Sequence, residues 1–67
     1  MKIRHTFKAE VFNNSNNQFH QVEGVAEIPD NVPASHVKGH IRGEAAVQAN
    51  RRNQTLNKVT EIDGQPN

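Results

Sequence analysis

The sequence predicts an α+β fold of order β-β-α-β, made of an N-terminal antiparallel hairpin, a covering helix and a short closing strand. Three observations carry this. Residues 2–12 alternate in character with period two, a polar Asn-rich cluster follows, and from Ala34 onward apolar residues recur at helical spacing.

In the first strand Ile3, His5, Phe7, Ala9 and Val11 point to one side, and Lys2, Arg4, Thr6, Lys8, Glu10 and Phe12 to the other. Asn13-Asn14-Ser15-Asn16-Asn17 reads as a loop, because these side chains bond their own backbone and tolerate left-handed φ. The second strand spans 19–28 and stops at Pro29, which cannot extend a ladder. An internal test supports one register, in which paired position numbers total 31. Lys8 then faces Glu23, Arg4 faces Glu27, Ile3 faces Ile28, Ala9 faces Val22, Phe12 faces Phe19, and Phe7 lies over Gly24. Any slip by one residue mixes the two faces. The inner face thus carries Ile3, Phe7, Ala9, Val11, Val22, Ala26 and Ile28, with His5 and His20 at its margins. A lone hairpin is marginal in water, so something must cover that face.

Asp30-Asn31-Val32-Pro33 reads as a turn opening a helix, with Asn31 as cap and Pro33 in the first turn. Over 34–52, Val37, Ile41, Ala45 and Val47 lie on or near one narrow stripe, while Gly39 and Gly43 each cost about 1 kcal/mol in a helix interior. The competing reading makes Ser35–Arg42 a third strand and starts the helix at Glu44. Residues 55–62 read as a closing strand, with continuation of the helix as the alternative. One domain over 1–62 and a flexible tail over 63–67 are expected.

The chain has 67 residues, 33% of them apolar, with three Phe and no Trp, Tyr or Cys. An apolar fraction this far below the usual 45–50% leaves a small core, and no disulfide is available to reinforce it. Self-association is therefore expected. The N-terminal residues lack the apolar run of a signal peptide and no 18-residue apolar stretch exists, so a cytoplasmic protein without a membrane partner is expected. Without a secretory signal, the glycosylation patterns at Asn13 and Asn53 carry no weight.

Eight basic and seven acidic side chains leave a net charge of +1, too little for a protein devoted to phosphate backbones. A local basic region exists nonetheless: Lys38, Arg42, Arg51 and Arg52, interleaved with Gln48, Asn50, Asn53 and Gln54, residue types that read base edges. Its alternative reading is the solvated face of an amphipathic helix. His36, His40 and Glu44 form H-x3-H-x3-E, a weak metal-ligand pattern. His36-Val37-Lys38-Gly39-His40 has the zinc-protease spacing, but Val37 stands where that motif carries its Glu. Exposed histidines are the plainer reading. Phe12 and Phe19, side by side on a polar face, are candidate protein contacts unless the loop folds back over them.

Catalysis is not expected. No Cys nucleophile or Gly-rich phosphate loop is present, no base is placed beside Ser15 or Ser35, and no cofactor is implied. The expected function is a non-enzymatic protein-binding or regulatory module, using the hairpin's outer face or an open sheet edge. Its partner would be another protein or a second copy. A nucleic-acid binder using the basic helix is the alternative, and a metal-binding protein a distant third.

Overall fold

A computed structural model describes all residues from Met1 to Asn67. Four strands and one helix follow in the order β1 (Lys2–Asn13), β2 (Gln18–Pro29), α1 (Ala34–Arg51), β3 (Gln54–Ile62) and β4 (Gln65–Pro66). The strands form one antiparallel sheet, ordered β2-β1-β3-β4. This is the β-β-α-β arrangement expected from the sequence, with a fourth, two-residue strand added.

The hairpin register totals 31 along its whole length, from Lys2 opposite Pro29 to Asn13 opposite Gln18. Its loop is built by asparagine. The Asn13 side chain accepts from the Ser15 N–H at 2.9 Å, that of Asn16 accepts from the Gln18 N–H at 3.1 Å, and Asn17 takes φ +57°.

The β1–β3 pairing is less regular. It shifts between Lys8 and Ala9 and again between Glu10 and Val11, leaving Thr60 and Asn57 as bulge residues. Each turns its side chain back to β1: Thr60 Oγ1 donates to the Lys8 carbonyl at 3.2 Å, and Asn57 Nδ2 donates to Glu10 Oε2 at 2.8 Å.

The helix covers one sheet face. Ile41, Ala45 and Ala49 recur every four residues and are all buried. Ile41 and Ala45 join Phe7, Ala9, Ala26, Ile28 and Val59 from the strands in one core cluster, with Val22, Val32, Val37, Leu56 and Ile62 packed against it; Val11 and Ala49 are buried as well. Alanines at 9, 26, 45 and 49 leave room for helix and sheet to approach closely. Residues 35–42 are thus helical, not a strand, and 55–62 belong to a strand, not to the helix.

Two local expectations need correction. Val47 is 45% exposed, because it stands six residues and about 240° of helical turn beyond Ile41. Asn31 does not cap the helix. Pro33 occupies the cap position with ψ 143°, and no side chain caps it. The preceding tight turn, closed by the Val32 N–H on the Pro29 carbonyl at 3.2 Å, spends Asp30 and Asn31 so that Val32 reaches the core. At the other end Asn53 takes φ +58° and closes the helix, as asparagine does when glycine is absent.

After Ile62 the chain turns back through Asp63 and Gly64, at φ +52° and +79°. Two consecutive positive-φ residues make the tight hairpin turn for which Asp-Gly is suited. Gln65 then pairs with Ile62, and Asn67 donates to the Thr60 carbonyl from its N–H at 3.0 Å and to the Val59 carbonyl from Nδ2 at 2.9 Å.

Candidate protein-contact surface

The face of the sheet turned away from the helix is open. Phe12 and Phe19 stand opposite one another there, ring centroids 5.2 Å apart and planes inclined at 70°. Edge-to-face packing of this kind stabilises the pair beyond its buried area. Phe12 is half-buried while Phe19 is 58% exposed. The hairpin loop does not fold over them. It is tied to the turn after the helix instead: the Asn14 N–H donates to the Asn53 carbonyl at 3.3 Å, and Asn53 Nδ2 donates to Ser15 Oγ at 3.2 Å.

Beside the aromatic pair the face is polar and balanced in charge. Lys8 sits between Glu23 at 3.8 Å and Glu61 at 3.4 Å, and Arg4 faces Glu27. A shallow, open depression of about 500 Å³ lies along Thr6, Lys8, Glu23, Val25, Glu61 and Gly64. With acids alternating with cations across it, this face offers no sustained basic field for a phosphate backbone.

One edge of the sheet is long and regular. The Thr6 N–H donates to Asp63 Oδ1 at 3.0 Å, and the Thr6 carbonyl accepts from the Asp63 N–H at 2.8 Å, so the Thr6 peptide groups point toward β3. Peptide direction alternates along a strand. Even-numbered residues of β1 therefore face β3 and odd-numbered ones face β2. Through the register, Phe19, Gln21, Glu23, Val25 and Glu27 must then direct their N–H and C=O groups away from β1, into solvent. The Met1 carbonyl accepting from the Asp30 N–H at 3.0 Å fits the same phase. Only one of these outward groups has an internal partner: Gln48 Nε2, reaching over from the helix, donates to the Val25 carbonyl at 3.0 Å.

The remaining candidates are dispersed. Lys38, Arg42, Arg51 and Arg52 are all exposed. At about 100° per residue, however, Arg42 lies about 40° from Lys38 while Arg51 lies about 180° from Arg42, on the opposite flank. Two of the neighbouring amides serve the fold, Gln48 bonding β2 and Asn53 closing the helix, while the Gln54 amide oxygen is buried without a hydrogen-bond partner. His36, His40 and Glu44 form an exposed row rising about 12 Å along the axis. No three His, Asp or Glu side chains gather closely enough to hold a metal ion. His20 is exposed, whereas His5 has a partner.

That partner is Asp63, which sequence reasoning passed over. His5 Nδ1 lies 2.7 Å from Asp63 Oδ2. Chiefly this hydrogen bond, and then the Thr6 N–H, hold the Asp63 carboxyl below its usual range. A depressed carboxyl contributes stability that is fully present above its unfolded value, about 3.9, and is lost as pH falls through the lower folded value. Asp63→Asn is expected to flatten this acid limb, since asparagine also tolerates positive φ. Urea midpoints between about pH 5 and pH 2 check this; equal slopes for both proteins would contradict it.

No helix is long and apolar enough to cross a membrane. No family model, curated protein or solved structure matches the chain.

Proposed function

We propose that this protein is a non-enzymatic protein-binding or regulatory module whose contact surface is the β2 edge together with the Phe12–Phe19 corner of the open face. One observation carries the reading. The most exposed aromatic side chain, Phe19, belongs to the same strand whose outward peptide groups, the Val25 carbonyl apart, have no partner within the chain. Strand addition draws affinity from such backbone groups and specificity from the side chains between them. An aromatic anchor at the end of the strand adds the kind of contact that dominates interface energetics.

Affinity capture from the source cell with nuclease treatment, followed by titration of the captured partner, tests this. Phe19→Ala is expected to weaken the partner by about 30-fold, equivalent to about 2 kcal/mol. Arg51→Ala combined with Arg52→Ala is expected to leave it unchanged. A partner lost to nuclease, or to the arginine changes and not to Phe19→Ala, would instead favour a nucleic-acid binder, which should also weaken steeply as salt rises.

A further inference from the structure

We infer that the β2 edge pairs with the β2 edge of a second copy, antiparallel about a two-fold axis at Val22. This deepens the proposed function and rests on it, because it names the strand that the open edge accepts.

The argument is one of self-complementarity. In a symmetric antiparallel pair, residues with outward peptide groups, among them Phe19, Gln21, Glu23, Val25 and Glu27, must face odd-numbered residues of the other copy, so partner numbers total an even number. Only a few offsets achieve this, and most place unsuitable groups opposite. Position numbers totalling 46 set Glu23 against its own copy, and a total of 50 sets Glu23 against Glu27. A total of 42 sets Phe19 against Glu23, and a total of 48 sets it against Pro29, which has no N–H to give. A total of 44 sets Phe19 against Val25, Gln21 against Glu23 and Val22 against Val22. On the outer face the exposed aromatic then gains an apolar neighbour from the other copy, and each Glu23 carboxylate gains an amide donor.

The remaining geometry agrees. The peptide groups of Gln21 and Glu23 bond to nothing within the chain. Gln48 occupies one lone pair of the Val25 carbonyl, and that oxygen has a second for the incoming Phe19 N–H. The opposite side of the sheet does not offer an equal edge. There β3 is bulged at Asn57 and Thr60, and its end is covered by β4 and Asn67. Bulges and covers discourage strand addition, so pairing closes at two copies and does not continue into a fibre.

The native chain has no cysteine, which allows single-cysteine variants to read the register directly. At the two-fold, Val22 and its copy form a non-hydrogen-bonded pair with Cα atoms about 4.5 Å apart, within disulfide reach. Copies of Gln21, or of Glu23, sit diagonally, roughly 8–9 Å apart and beyond that reach. In a glutathione buffer, Val22→Cys is expected to form a covalent dimer at least ten times faster than Gln21→Cys or Glu23→Cys. Sedimentation of the native protein is expected to show twice the monomer mass. Gln21→Pro is expected to return it to the monomer, since this N–H points away from β1 and its loss spares the internal ladder. A native monomer at millimolar concentration overturns the inference, as does fastest cross-linking at position 21 or 23. Neither outcome touches the broader reading, which fails separately if a captured partner ignores Phe19→Ala.

Discussion

Replacing Phe7 by alanine is expected to leave the protein largely unfolded at ambient temperature. Phe7 is 4% exposed on the strand that pairs on both sides, and its ring lies over Gly24. Truncating a buried phenylalanine costs about 3–5 kcal/mol. At about 0.05–0.15 kcal/mol per residue, a chain of 67 residues holds only about 3–10 kcal/mol in all. The glycine opposite tests the same contact from the other side. A Cβ at position 24 would stand 2.6 Å from Phe7 Cζ and 2.9 Å from Gln48 Oε1. Gly24→Ala is therefore expected to cost about 1–3 kcal/mol by overpacking. Part of that cost should vanish in a Phe7→Leu background, giving a coupling of at least about 0.5 kcal/mol. Urea denaturation of the four proteins measures both effects, and strictly additive changes would show that ring and glycine are not in contact.

The Phe7–Gly24 contact was legible in the sequence because the hairpin over-determines itself. Period-two patterning, two complementary charge pairs, an aromatic over a glycine and a loop of asparagines all agree on one offset. The helix was less legible. Its stripe is narrow, two glycines interrupt it, and one of its three buried positions is Ala49, which as a small residue carries little signal. Asp63-Gly64 is a strong hairpin signal, but the strand after it has only two residues and shows no pattern. Two features were invisible for a physical reason. The bulges at Asn57 and Thr60 depend on how β3 meets β1, and alternation within β3 does not report them. Which hairpin strand stays open is a tertiary matter too. Either strand can accept β3, and only docking against β1 leaves β2 at the edge. The aromatic pair was therefore readable as a candidate contact, while the free peptide groups of Gln21 and Glu23 beside it were not. The bonds made by Gln48 and Asp63 were illegible for the same reason, since their partners lie 23 and 57 or 58 residues away.

Ile41→Ala is expected to separate what holds the fold from what the surface does. Ile41 is fully buried and is the largest side chain of the helix's inner line, and its truncation should cost about 2–5 kcal/mol. Val47→Ala, on the same helix but 45% exposed, should change stability by no more than about 0.5 kcal/mol. Phe19→Ala on the open face should fall between the two, losing at most its edge-to-face contact with Phe12 of about 0.5–1.5 kcal/mol. The helix is the sole cover of the inner face, so loosening it bares Phe7, Ala26 and Ile28 while leaving the β2 edge and Phe19 chemically intact. Partner binding by Ile41→Ala should accordingly fall only in proportion to the unfolded fraction and recover on cooling or in stabilising osmolyte. Phe19→Ala should lose the partner while its melting curve stays close to that of the parent. Melting followed by circular dichroism, with binding titrated below the transition, distinguishes the two. Loss of binding in fully folded Ile41→Ala would relocate the contact surface to the helix.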